Sequence, residues 1–501
     1  MKPLKGELMA LKNYLVFDFG ASSGRAIVAQ FDGSKFKLEE THRFENRPVF
    51  AAGTLYWDIL RLYADLKTGI LASVKLFKNI ESLGIDTWGV DFGLLDKNGK
   101  IISNPHHYRD DGRAKAAEAF SKVFPTEKLF ELTGGLILSI MSVYHLYNLK
   151  INKAIELPNA DKFLMMPDLF NYFLTGNIFN EFTDATTTIL YDQKNKKWSD
   201  SILNKLGVSK DIFPEIIQPG SKVGDLQKSV LDELEISNIP VIAPASHDSA
   251  SAETGIPLVD SKKNWAFVSM GTWLVQGVET SEPIITPEAF SAGYGNEGGC
   301  EGRNLFVKNI NGLWIIQQCM AKWRKDKGEN IAWPEIDLIY PLAKPFGSMI
   351  NVDDPVFLPT SVDMSKVIAG YCKDRGQNIP TGIGEVSRCF YESLVFKIRF
   401  NVELTEKLIG KKIELMQLVG GGTNNKLICQ WISDALGIPV AAGPTETTAV
   451  GNLIMQMKAN GEIKDVNEGR TICANSSNVL LYEPKDKSPW DDAYEKYLKI
   501  L

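Results

Sequence analysis

Two short β-rich runs, each broken by a glycine bend, recur half a chain apart in this 501-residue sequence: YLVFDFGASSGRAIVAQ at 14–30 and WAFVSMGTWLVQGVE at 265–279. The flanks are rich in β-branched and aromatic residues, so each run reads as strand, tight turn, strand. Glycine lets backbone N–H groups converge on an anion with no Cβ in the way, and such bends suit a phosphate chain. Two of them on two related domains predict a nucleotide gripped from both sides, and with it phosphoryl transfer.

The length supports that division, because a single hydrophobic core stops growing at roughly 250–300 residues. Hydrophobic residues at 44% and charged residues at 23% are those of a folded globular chain. The formal charge of −6 offers no basic face to nucleic acid or anionic lipid. Cys300, Cys319, Cys372, Cys389, Cys429 and Cys473 form no CxxC pair, so reduced buried thiols are expected and a zinc or redox motif is not. The opening MKPLKGELMALKNYLV lacks a continuous apolar core and a small-residue cleavage site, and no 18 apolar residues run together. No signal peptide, no membrane partner and a cytoplasmic location are the expectations; the oligomeric state is left open.

Along the chain, FKLEETHRF at 36–44 alternates as a third strand after the first hairpin, and residues 55–76 carry apolar residues at helical spacing. NIESLGIDTWGVDFGLLDKNG then fits a buried strand and a second hairpin. Three antiparallel strands, a helix and a further strand are the plan of a ribonuclease-H-like unit. Residues 113–235 are mostly helical in pattern, with breaks at Gly134, Gly135, Gly176 and Pro214, and read as an α-rich insertion. After 241–259 the plan restarts, so the expected fold is α/β: two ribonuclease-H-like (actin/hexokinase-like) domains, 1–257 on the sugar side and 258–501 on the nucleotide side, with an interdomain active-site cleft. MQLVGGGTNNKLICQWISDALG reads as strand, triple-glycine turn and helix, and 450–461 as another helix.

Several constellations carry chemistry. Asp18 stands at a strand end before Ala21-Ser22-Ser23-Gly24-Arg25, where a carboxylate suits a hydrated Mg²⁺; the competing reading is a surface hairpin. Gly271-Thr272 forms the matching bend. Gly420-Gly421-Gly422 puts bare backbone at a helix N-terminus, where a base or a phosphate can lie, with Asn425 in the first turn facing the same cleft; the alternative is a flexible connection. In Ser246-His247-Asp248-Ser249, Asp248 is either a general base for a hydroxyl or a cap for the helix that follows. GYGNEG at 293–298 matches GxGxxG, but no apolar helix follows, and His106-His107 lacks a third metal ligand. No Walker motif is present, since neither Gly99-Lys100 nor Gly410-Lys411 is followed by Ser or Thr.

With DFGASSGR, GIDTWGVDFGLLD, YRD, HDSASA, GTW, NEGG, EGR, KNINGLWIIQ and GGGTNN in view, nearly the whole chain resembles the FGGY carbohydrate kinases. The resemblance implies ATP and Mg²⁺ as co-substrates and a small-molecule ketose as acceptor. It assigns Ala21 to Arg25, Thr272, Gln317 and Gly421 to ATP, and Gly89, His247, Asp248 and Asn309 to the sugar, with Asp248 as proton acceptor; the reading of the bends and of the His247-Asp248-Ser249 run adds Gly271, Gly420 and Asn425 to the nucleotide set and Ser249 to the sugar set. The implied product is the 1-phosphate of a 6-deoxyketohexose, L-rhamnulose first and L-fuculose or another ketose as alternatives. The chain departs from the nearest pattern at His247-Asp248-Ser249, Thr423-Asn424-Asn425 and Asp111-Gly112-Arg113, which keeps the choice of sugar open. A sugar sensor that binds ATP without turnover is the reading from a different class.

Overall fold

A computed structural model describes residues 11–328, 331–359 and 362–501. Most of the N-terminal stretch read as lacking a signal peptide, residues 1–10, lies outside the described residues. Among the described residues no helix is long and apolar enough to cross a membrane. The chain forms two compact units. The first takes the described part of Met1–Leu258 together with Glu279–Val307 and Glu446–Ser477; the second takes Val259–Val278, Lys308–Thr445 and Asn478–Leu501.

In the first unit, β1 (Lys12–Phe19), β2 (Ser23–Phe31) and β3 (Phe36–Glu45) form an antiparallel run. β4 (Ile80–Thr87) lies parallel to β1 on its other side, followed outward by β6 (Val241–Ile242) and β5 (Lys222–Gly224), giving the order β5-β6-β4-β1-β2-β3. This is the ribonuclease-H order expected from the hairpin–strand–helix–strand pattern. β1 is buried from Asn13 to Phe19, so both faces of the sheet are covered. The helix α1 (Ile59–Leu76) buries Leu62, Leu66 and Ile70 in one core with Leu15, Phe17 and Phe19. The Asp58 carboxylate caps it, accepting from the Arg61 N–H.

Two further helices set the site. α2 (Asp248–Thr254) and α3 (Thr447–Ala459) meet backbone to backbone: a Cβ added at Gly451 would lie 1.8 Å from the Ser251 carbonyl, and one at Gly255 2.1 Å from that of Thr447. The expected second hairpin is present around the turn Asp96–Lys100, but the ladder of Phe92–Leu95 is completed by Lys162–Met165 from the insertion. The insertion is largely helical, and Gly134 and Gly176 end two of its helices at φ of 61° and 79°.

The second unit repeats the plan. β7 (Trp265–Met270) and β8 (Trp273–Thr280) are antiparallel, β9 (Leu415–Val419) is parallel to β7, β10 (Val440–Ala442) is parallel to β9, and β11 (Leu480–Tyr482) closes the edge. The GxGxxG segment leads into a strand, Gly295–Gly298, paired with Asn304–Asn311, and no helix opens there. All six cysteines are free and buried.

Candidate active site

The first glycine bend is pinned from below. The Gly20 N–H donates to the Ser23 carbonyl at 2.9 Å, while buried Asn46 donates from its side chain to the Gly20 carbonyl at 2.9 Å and from its N–H to that of Ser22 at 3.0 Å. Gly24 leaves room for the Phe44 ring, which a Cβ there would meet at 2.1 Å and have to displace. Ser22 is exposed at the tip and Ala21, Ser23 and Arg25 are half-buried.

At the base of that bend the β1–β2 register sets Asp18 against Arg25, whose guanidinium donates to the Asp18 carboxylate at 2.5 Å and pairs with Glu446 at 2.5 Å. The β1–β4 register sets Asp18 against Asp86. Asp86 is fully buried; one oxygen accepts from the Asn452 side chain at 2.6 Å and the other has no partner. Burial pushes Asp86 well above the usual carboxylate range, with the Asp18 charge adding to it; burial also raises Asp18, against the pull of Arg25. Among the described residues no group of three or more His, Cys, Asp or Glu side chains gathers for a metal. A Mg²⁺ ion keeps several waters and needs one or two carboxylates, and Asp18 with the orphaned Asp86 oxygen fits that requirement.

Asp248 opens α2. The Thr87 N–H donates to the Ser246 carbonyl at 2.9 Å, bringing His247 beside the end of β4. Asp248 is the first residue inside the helix and His247 holds the N-cap position, so Asp248 is not the N-cap; the Ser249 hydroxyl donates to its carboxylate at 3.2 Å and the Ser249 N–H donates to it too. Its side chain is 33% exposed, yet the surrounding protein pushes its carboxyl up to about 7, and the Asp18 charge contributes. His247 lies between two carboxylates, its Nε2 3.5 Å from Asp248 Oδ1 and its Nδ1 3.5 Å from Glu297 Oε2. Burial lowers its basicity, so it stands as a neutral imidazole. A Cβ at Gly89 would lie 3.1 Å from that ring and 2.9 Å from the Thr187 methyl, so the glycine leaves the imidazole its place.

An aromatic group surrounds this corner. Buried Asp91 accepts from the indole N–H groups of Trp57 at 2.5 Å and Trp88 at 3.0 Å, from the Tyr108 N–H at 3.2 Å, and from the Arg113 guanidinium. His107 stacks on Trp57 with ring centres 4.0 Å apart, so it is an aromatic packing element. The charges of Asp91 and Asp248 both add to the burial that raises the Tyr108 hydroxyl, once Arg109 has pulled it down.

The other predicted residues belong to the second unit. The carbonyls of Gly271 and Thr272 accept from the N–H groups of Leu313 and Trp314, tying the second bend to the start of the helix Trp314–Lys327, in whose first turn Gln317 is half-buried. Thr272 itself is exposed. Gly420 has φ +84° and packs on the Met270 backbone, while an added Cβ at Gly421 would meet nothing within 4 Å, so the backbone is open at Gly421. Asn425 instead has its side chain committed: it caps the helix Lys426–Leu436 through the Ile428 N–H at 3.1 Å, accepts from the Tyr340 hydroxyl at 2.9 Å and donates to Asp337 at 2.9 Å. Asn309 is half-buried on the strand Asn304–Asn311. The structure thus gathers Asp18, Ala21 to Arg25, Gly89, His247, Asp248 and Ser249 in one unit, and Gly271, Thr272, Asn309, Gln317, Gly420, Gly421 and Asn425 in the other.

Sequence reasoning gave no role to Asp86, Asp91, Glu297, Glu446 or Asn452. A signal for the first existed: Asp18 and Asp86 are each the penultimate residue of their strands.

The chain is similar to known sugar kinases. The chain is 37% identical over 483 residues to a rhamnulokinase of Bacteroides thetaiotaomicron, covering 96% of this chain and 98% of that one. It is 34% identical over 501 residues to a rhamnulokinase of Enterococcus faecalis, covering 99% of each. Its fold superposes on a gluconate kinase from Lactobacillus acidophilus with a TM-score of 0.81 at 15% identity, over 98% of both chains. Residues 13–255 match the N-terminal domain and 266–460 the C-terminal domain of one family. The chain therefore belongs to the FGGY family of carbohydrate kinases.

Proposed function

We propose that this kinase transfers the γ-phosphoryl group of ATP to O1 of L-rhamnulose, in the cytoplasm. The observation that carries the reading is Asp248, a carboxylate held at a helix start beside neutral His247 and poised near pH 7. A base with that affinity accepts a hydroxyl proton near neutrality. The relatives named rhamnulokinase, matched over nearly their full length, support the choice of sugar.

In this mechanism the bond from O1 to the γ-phosphorus forms, the bond to the β–γ bridging oxygen breaks, ADP leaves, and the O1 proton passes to Asp248. His247, Ser249, the backbone at Gly89 and Asn309 orient the sugar. We assign the Ala21–Arg25 bend, Gly271, Thr272, Gln317 and the Gly420-Gly421 backbone to ATP, whose phosphates their N–H groups suit. Asn425 contributes by capping the helix behind Gly421. Asp18 and Asp86 would hold Mg²⁺, which neutralises phosphate charge when bound.

The test is ADP release with L-rhamnulose, L-fuculose and L-xylulose side by side. The highest kcat/KM for L-rhamnulose is expected. Preference for another ketose overturns the sugar, and no ketose-dependent release at all overturns turnover in favour of a sensor.

A further inference from the structure

In the insertion lies a carboxylate bonded to the peptide N–H of Ser246, two residues before Asp248. Glu181 is fully buried, and among the described residues no ion pair to it is found. It accepts from the Thr183 hydroxyl at 2.5 Å, the Thr183 N–H at 3.0 Å, the Ser246 N–H at 3.1 Å and the Asp184 N–H at 3.3 Å. The Thr183 oxygen in turn accepts from the His247 N–H at 3.1 Å. Both peptide N–H groups that precede Asp248 are therefore tied to one carboxylate, the first directly and the second through one hydroxyl. From the opposite side the Ser246 carbonyl is fixed by the Thr87 N–H. Glu181 is itself anchored from behind, its N–H donating to buried Asp168 at 3.0 Å.

Capping the five-residue helix Phe182–Thr186 does not account for a buried charge, since a neutral Asn or Ser serves that purpose. Burying an unpaired carboxylate is costly. Burial pushes Glu181 up to about 7 even with these donors pulling it down. What an ionised acceptor adds is shorter and stronger bonds than a neutral one makes.

Resting on the kinase reading above, we propose that Glu181, acting through Thr183, is the positioning residue of Asp248, fixing the Ser246–His247 backbone so that the base meets the sugar hydroxyl.

The test compares Glu181→Ala, Thr183→Val and Thr183→Ser with wild type in ADP release, using whichever ketose wild type turns over fastest, with KM for ATP and the melting temperature measured alongside. A misplacement near 1 Å costs about 10²-fold, so kcat of Glu181→Ala is expected to fall by that order. Thr183→Val should lose less, Thr183→Ser should recover most of that loss, and KM for ATP should stay near wild type. A folded Glu181→Ala variant with wild-type kcat overturns the proposal. So does a parallel loss in kcat and ATP affinity, or a Thr183→Ser variant no better than Thr183→Val, because a general packing role would produce either. Should Glu181→Ala not fold, the Thr183 pair decides. A crystal structure of a variant reads the same geometry without turnover: an unmoved Asp248 carboxylate overturns the proposal whichever sugar the enzyme uses. Failure of the sugar reading shows separately, as wild-type preference for another ketose.

Discussion

Asp18 stands directly opposite Asp86 in the parallel pairing of β1 and β4, one position before the end of each strand. Two neighbouring carboxylates in a buried place repel each other, so the pair needs positive charge nearby or one member holds its proton. Arg25 bonds Asp18 directly, whereas Asp86 accepts from the Asn452 amide and feels Arg25 more weakly than its own burial. Asp86→Asn is therefore expected to raise the Mg²⁺ concentration for half-maximal activity by roughly 10–100-fold, the range typical of outer residues of metal sites. Its melting temperature should hold, because burial already favours the neutral, protonated carboxyl whose place the amide takes. A titration of ADP release against Mg²⁺ that matches wild type removes Asp86 from any cation site.

Asp248→Asn keeps the shape and abolishes the base. Since a positioned base contributes about 10²–10⁴-fold, kcat should fall by that range with KM for ATP little changed. Its carboxyl is raised in the folded state, up to about 7, so the native form prefers the proton and the unfolded chain releases it near pH 4. The ionised group thus lowers stability as pH rises from about 4 through 7. Asp248→Asn should accordingly melt higher than wild type at pH 8, with the gap closing toward pH 4. Equal melting curves at pH 8 would contradict the burial that raises this carboxyl.

The same raised carboxyl sets the pH profile of wild type. Asp248 works only ionised, so kcat/KM should rise with pH and level off above about 7, this one group contributing a tenfold fall per unit on the acid side. Glu181, also raised to about 7 by burial, must be ionised to hold its donors, so the acid limb should steepen beyond one proton. A profile flat down to pH 5 excludes Asp248 as the base.

Much of this site was legible because its parts are local. The bends at Gly20–Gly24 and Gly271–Thr272 announce themselves by glycine between β-rich flanks, and Asp248 follows an apolar run that ends in a helix start. What stayed hidden depends on register and distant packing. Glu446 reaches Arg25 across more than four hundred positions, Asn452 holds Asp86 across 366, and Glu181 meets Ser246 across 65. No local pattern marks a glutamate as the partner of a peptide N–H so far along the chain. Asn425 shows what position alone leaves out: it stands beside the triple glycine as expected, and only the fold reveals that its side chain also caps a helix and bonds Tyr340 and Asp337.

Arg470 is fully buried and pairs with Glu253 of α2, while two bonds of 3.0 and 3.1 Å join it to Glu279, which also accepts from Arg303 at 2.8 Å. Removing one partner of a buried ion pair leaves the rest uncompensated, so Arg470→Ala should cost about 3–5 kcal/mol. Urea unfolding measures it. A loss below about 1 kcal/mol, the scale of an exposed pair, would mean that water reaches Glu253 and Glu279.

Gly451 offers the sharpest packing test, because what a methyl group would meet there is backbone. Its added Cβ falls 1.8 Å from the Ser251 carbonyl oxygen and 3.0 Å from the Gly255 nitrogen, neither of which can rotate away. Gly451→Ala must push α3 off α2. Overpacking costs about 1–3 kcal/mol and sometimes more, and this contact belongs at the upper end. The displacement also reaches the chemistry, since α2 begins with Asp248 and α3 carries the Asn452 that holds Asp86. Gly370→Ala is the matched control: it sits inside the helix Met364–Asp374 with nothing within 4 Å of an added Cβ, and should gain about 0.5–1 kcal/mol from helix propensity. Melting temperature and kcat should therefore drop together in Gly451→Ala, while in Gly370→Ala the first rises and the second holds. A Gly451→Ala variant as stable and as active as wild type would show that the two helices do not meet through their backbones.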